Sequence, residues 1–103
     1  MEHNKLVRDR IPEIIRQNGD IAEVRIADSR EFQEKLVQKL HEEVREFIEN
    51  HSAEEATDII EVLRAYCAIL HVDLEELKNI RAQKEEARGG YTKQIILVST
   101  RSQ

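Results

Sequence analysis

The sequence predicts a mainly α-helical protein: a four-helix arrangement around an antiparallel helical hairpin. Three observations predict it. Apolar residues recur every three or four positions from Phe32 to Ile48 and again from Ile59 to Leu70, the spacing of one helix face. A cap-forming residue stands three positions before a glutamate at Asp28/Glu31, Ser52/Glu55 and Asp73/Glu76, a signature of helix starts. Charged residues make up 36% of the chain and aromatic residues 4%, which suits solvated helices better than strands.

The chain of 103 residues reads as one domain, 1–103. A helical chain of this size buries a modest core and often completes it by pairing with a copy. Its 16 basic and 21 acidic residues give a net charge of −5. That balance argues against a nucleic-acid polymer as partner, since phosphate backbones need a basic patch. A hydrophobic fraction of 40%, periodically arranged, argues against disorder. The one cysteine, Cys67, rules out an intramolecular disulfide and reads as a small core residue. The stretch from Met1 to Asp9 is polar and charged, and no apolar run is long enough to span a bilayer. The expectation is a cytoplasmic protein without a membrane segment.

In chain order, Lys5, Arg8 and Arg10 make a basic opening. Asp9 is expected to cap a short helix through about Gln17, with Pro12 in its first turn. Asn18-Gly19 then ends it in a left-handed cap. Val24 and Ile26 alternate with Glu23 and Arg25, a weak strand signal. The second helix is expected over Ser29 to Asn50, with Asp28 as its cap. His51-Ser52 forms a hinge, and the third helix follows from Ala53 to about Val72. A fourth runs from the Asp73 cap to about Arg88, where Gly89-Gly90 stops it. The β-branched run Ile95-Ile96-Leu97-Val98 reads as a short strand. As an option, residues 23–27 pair with 94–98 in a small two-stranded ribbon. Thr100 to Gln103 reads as a frayed tail.

The chemistry concentrates in the hairpin. Glu42, Glu43 and Glu46 precede the hinge, and Glu55 and Asp58 follow it. Carboxylates three apart are neighbours on a helix surface. Helices joined by a short loop pack antiparallel, so acids from both can converge. On the second helix Glu43 lies roughly 65° from the centre of the apolar stripe, on its flank, Glu46 roughly 130° away near the polar side, and Glu42 nearly opposite. On the third, Glu55 falls within about 30° of the stripe's centre and Asp58 about 80° from it on the other flank. Two acids thus share the buried side of an apolar helix, and unpaired burial costs several kcal/mol. Arg64 or Arg81 could neutralise them, and Glu55 could instead close a capping box on the Ser52 amide. A divalent ion shared with Glu43 and Glu46 serves all four, and carboxylate oxygens suit Mg²⁺ or Mn²⁺. On the fourth helix Lys84 and Arg88 share a face. They suit phosphate contacts, or pairing with Glu85 or Glu76. A P-loop, a G-x-G-x-x-G and an E-x-x-H are absent, and His3, His41, His51 and His71 lack metal-ligand spacing.

Glu42-Glu43-x-x-Glu46 followed by Glu55-x-x-Asp58 resembles the metal motif of the all-α nucleoside triphosphate pyrophosphatase superfamily, which includes MazG and phosphoribosyl-ATP pyrophosphohydrolase. Asn4-Lys5-Leu6-Val7-Arg8-Asp9-Arg10-Ile11-Pro12, Lys39-Leu40-His41-Glu42-Glu43 and Arg88-Gly89-Gly90-Tyr91 resemble its small house-cleaning branch. The resemblance implies Mg²⁺-dependent cleavage of a nucleoside triphosphate between its α and β phosphates, giving a monophosphate and pyrophosphate. Glu43, Glu46, Glu55 and Asp58 would be metal ligands, and Glu42 would assist in handling water. Lys84 and Arg88, with Lys5 or Arg8, would hold pyrophosphate. A homodimer or homotetramer is implied. The hinge is short for the superfamily, which leaves the nucleoside pocket undefined. Two alternatives stand beside this: a phosphoribosyl-ATP pyrophosphohydrolase of histidine synthesis, and a non-enzymatic helical dimerisation or binding module.

Overall fold

The described residues form four helices: α1 (Ile11–Gln17), α2 (Ser29–Asn50), α3 (Ala53–Ile69) and α4 (Leu74–Arg88). They are seen in a computed structural model that describes residues 4–102. His3 and Gln103, which entered the sequence reading, lie outside the described residues. The chain divides into two compact units, Met1–His71 and Val72–Gln103.

The first unit is built on the α2/α3 hairpin. The Glu31 amide donates to Asp28 Oδ1 at 2.8 Å, which starts α2 at the expected residue. His51 ends it in the left-handed region at φ 51°, its N–H donating to the Phe47 carbonyl. The very next residue, Ser52, starts α3 by accepting from the Glu55 amide at 3.2 Å. A hinge of two residues leaves the helices no choice but to fold back on each other. Gln33 near the start of α2 accordingly donates to the Tyr66 hydroxyl near the end of α3, at 3.0 Å. The helices pack directly, and Leu36 and Val62 are the buried apolar residues among those described.

Three expectations are corrected in this unit. Asp9 does not cap α1: Arg10 occupies the N-cap with helical backbone angles and no side-chain bond, and Pro12 pre-sets the first turn instead. Glu31 does not return a bond to complete a capping box. Its carboxylate takes both arms of Arg25 at 2.6 and 2.8 Å, and this hydrogen bonding holds the Glu31 carboxyl below its usual range. Finally, α3 stops at Ile69 rather than Val72, because His71 turns left-handed at φ 61°. The left-handed cap expected at Asn18-Gly19 is carried by Gly19 at φ 89°.

In the second unit, Asp73 Oδ1 accepts from the Glu76 amide at 2.8 Å and starts α4. The helix ends at Gly89, in a positive-φ conformation that glycine adopts at no steric cost. Residues 91–94 close a turn through Gln94 N–H to the Tyr91 carbonyl.

No strand forms among the described residues, so the optional ribbon of 23–27 with 94–98 is absent. The segment before α2 spends its polar groups otherwise. Arg16 donates to the Ala22 carbonyl at 2.9 Å, and Arg25 is committed to Glu31. Ile26 is 93% exposed and Val98 90% exposed. Without a buried face, a two-stranded ribbon is marginal at best.

The packing predicts unequal costs. Leu36→Ala should lose about 2–5 kcal/mol of stability, and Ser52→Ala about 1 kcal/mol. Urea denaturation of the two variants measures both.

Candidate metal centre

The hairpin brings three carboxylates together. Oxygens of Glu43 on α2 and of Glu55 and Asp58 on α3 lie within 4.8 Å of one another. Short hinge and helical spacing produce this: Glu43 is two turns before the end of α2, and Glu55 and Asp58 occupy the first turns of α3.

Burial sharpens the geometry. The Glu43 side chain is only 8% exposed. Its Oε1 meets Lys39 Nζ at 3.2 Å, while its Oε2 is buried with no hydrogen-bond partner among the described residues. Glu55 is half-buried; Asn50 Nδ2 donates to its Oε1 at 3.1 Å, and its Oε2 is likewise buried without a partner. The side chain therefore does not close a capping box on Ser52, although its amide uses the Ser52 hydroxyl. Asp58 Oδ1 accepts from Arg8 Nη2 at 2.7 Å. The neutralising guanidinium comes from the opening segment rather than from Arg64 or Arg81. Arg81 pairs with Glu85 within α4.

An open cleft of about 280 Å³ lies against the cluster. Its apolar lining includes Phe32, Leu36, Val62 and Ala65, and its charged lining sets Arg8 and Lys39 against Asp9, Glu43, Asp58 and Glu61. The formal charge of Glu43, Glu55 and Asp58 exceeds that of Arg8 and Lys39 together. The set is thus net negative, with two acceptor oxygens left over.

The remaining candidates fall as follows. Glu42 is half-buried and lies 3.6 Å from the same Lys39 ammonium. Glu46 is outside the group of three oxygens yet interacts with it. Burial pushes its carboxyl above the ordinary value, and the negative charges of Glu43, Glu42 and Glu55 push it further. Lys5 is exposed. Lys84 and Arg88 lie on α4 in the second unit, both exposed. The sequence reading missed Lys39 and Asn50. Lys39 was visible in principle, four residues before Glu43; Asn50 carries no sequence signal.

The donors fit a hard divalent cation. They are all carboxylates, drawn from two helices, and Glu43 and Glu55 each carry one buried oxygen without a partner among the described residues. Leaving a buried acceptor unsatisfied is costly, and a cation at that point removes the cost. Among the described residues, no helix is long and apolar enough to cross a membrane. The class defined so far is a helical protein with a hairpin carboxylate centre. Comparison with family models, curated proteins and solved structures returns no match.

Glu46 yields a signed pH prediction. An acid whose folded pKa is raised binds its proton more tightly in the native state. Its ionisation therefore erodes stability as pH climbs from 4.5, the ordinary value, through the raised one. Glu46→Gln cannot ionise and escapes this erosion. In chelator, the stability of Glu46→Gln relative to the parent protein should rise across that interval and then level off. Urea denaturation at a series of pH values measures the difference.

Proposed function

We propose that the protein is a Mg²⁺-dependent nucleotide pyrophosphohydrolase that turns nucleoside triphosphates into monophosphates and pyrophosphate, and that it acts on non-canonical nucleotides. The observation that carries this reading is the pair of buried, unpartnered oxygens, Glu43 Oε2 and Glu55 Oε2, in a group that Asp58 completes. The order of the acidic residues, which resembles the all-α pyrophosphatase motif, supports it. So does the adjoining cleft, which combines cations for phosphate with apolar surface for a nucleoside.

On this reading Glu43, Glu55 and Asp58 hold the ion, with Glu46 beside them. A divalent ion there supplies charge neutralisation for phosphate oxygens, and Mn²⁺ substitutes for Mg²⁺. Arg8 and Lys5 hold phosphate. Glu42 orients the attacking water and accepts its proton. The water oxygen forms a bond to the α phosphorus, the bridge from the α to the β phosphate breaks, and pyrophosphate leaves with the bridging oxygen. Preorganised charge of this kind acts without reorganisation during the reaction.

The working form is proposed as a homodimer or homotetramer. Leu63, Ile60, Val37, Val44 and Ile48 of the hairpin are all at least 37% exposed, which leaves apolar surface for a second copy.

Glu43→Gln and Asp58→Asn should each lower the rate of pyrophosphate release by at least about 100-fold, and both should keep their helical circular dichroism. The parent protein should gain about 2.7 kcal/mol from Mg²⁺ at a hundred times its dissociation constant, and the variants almost none. The assay is a pyrophosphate-release screen over canonical and damaged triphosphates and phosphoribosyl-ATP. Turnover of the last alone would reassign the substrate to histidine synthesis. Metal stabilisation with no turnover of any nucleotide would favour a binding module.

A further inference from the structure

The carboxylate centre carries two cations of its own. Arg8 Nη2 lies 2.7 Å from Asp58 Oδ1, and Lys39 Nζ lies 3.2 Å from Glu43 Oε1. They come from different places: Lys39 from the middle of α2, Arg8 from the opening segment. That segment is tied down at its start, where Lys35 Nζ donates to the Asn4 carbonyl at 2.9 Å. Both cations line the cleft: Arg8 holds Asp58 Oδ1, Lys39 lies between Glu43 Oε1 and Glu42 Oε2, and Glu43 Oε2 and Glu55 Oε2 stay buried without a partner among the described residues.

Their effect on a ligand depends on its charge. A fixed cation beside a metal site repels a divalent ion and occupies an oxygen that the ion would use. The same cation attracts a polyphosphate, and strongly so beside a partly desolvated surface. Arg8 has the freedom to change partner, since its side chain is 57% exposed.

We propose that Arg8 and Lys39 are exchange cations. They neutralise Asp58 and Glu43 when no divalent ion is bound, and they move to phosphate oxygens when metal and polyphosphate arrive together. The inference rests on the metal centre proposed above and adds Lys39 to its phosphate-binding residues. It also assigns an order of preference: the centre takes bare metal weakly and the metal–polyphosphate complex tightly. Arg8 and Lys39 hold the empty site closed to the first and open to the second.

The test is a pair of calorimetric titrations on the full chain. One adds Mn²⁺ alone, and the other adds inorganic tripolyphosphate in the presence of Mn²⁺. Arg8→Gln and Lys39→Gln should each bind Mn²⁺ alone about 3- to 10-fold tighter, and tripolyphosphate about 10-fold more weakly. Arg8→Lys, which keeps the charge, should stay near the parent protein with Mn²⁺ alone. Opposite signs in the two titrations are something a merely structural ion pair would not produce. If the glutamine variants weaken both ligands or change neither, while Glu43→Gln abolishes Mn²⁺ binding, the exchange is overturned and the metal centre stands. If the parent protein takes up no Mn²⁺ in either titration, both are overturned. Should Lys39→Gln lose its helical circular dichroism, Arg8→Gln, which alters no helix, decides the matter.

Discussion

The constraint that the rest of the first unit has to sustain is electrostatic. Glu43, Glu55 and Asp58 present oxygens within 4.8 Å of one another, and Glu43 Oε2 and Glu55 Oε2 have neither water-facing surface nor a partner among the described residues. Such a gathering is unfavourable in isolation, because like charges repel and buried acceptors lose their hydration. It persists because the helices that carry it are locked by other means. Leu36 and Val62 pack between them, the Ser52 hydroxyl fixes the start of α3, and His51 folds the chain back within two residues. Lys39, Arg8 and Asn50 then offset part of the charge.

The same economy explains the sparse interior. A hairpin of two long helices has one shared seam, and a charged residue, Glu43, occupies part of it. Apolar side chains that a larger domain would cover, such as Ile48 and Ile60, remain exposed at 61% and 53%.

Much of the helical framework was legible in the sequence. Asp28, Ser52 and Asp73 announce three helices because a cap acts within four residues of chain, so its signal is local. The convergence of Glu43 with Glu55 and Asp58 was legible too, since helical spacing and a short hinge together confine where those side chains can go. Glu43 nevertheless sits deeper than an angular count from the apolar stripe implied. Such a count describes one helix, whereas burial depends on the neighbour. Asp9 misled as a cap because the first turn belongs to Arg10 and Pro12. The ribbon misled because β-branched composition records a preference that only a buried face can realise.

By itself the sequence determined that there are helices in these four stretches, where α2 and α4 begin and end, and which acids share the hairpin. These follow from interactions between residues close together in the chain. Only the tertiary structure decided which charges meet. It put Arg8 on Asp58, fifty positions away, and put Asn50 across the hinge on Glu55. It also left one oxygen each of Glu43 and Glu55 without a partner. Partner choice depends on how two helices and a strap of non-helical chain are superposed in space. No periodicity within a single element encodes that distance.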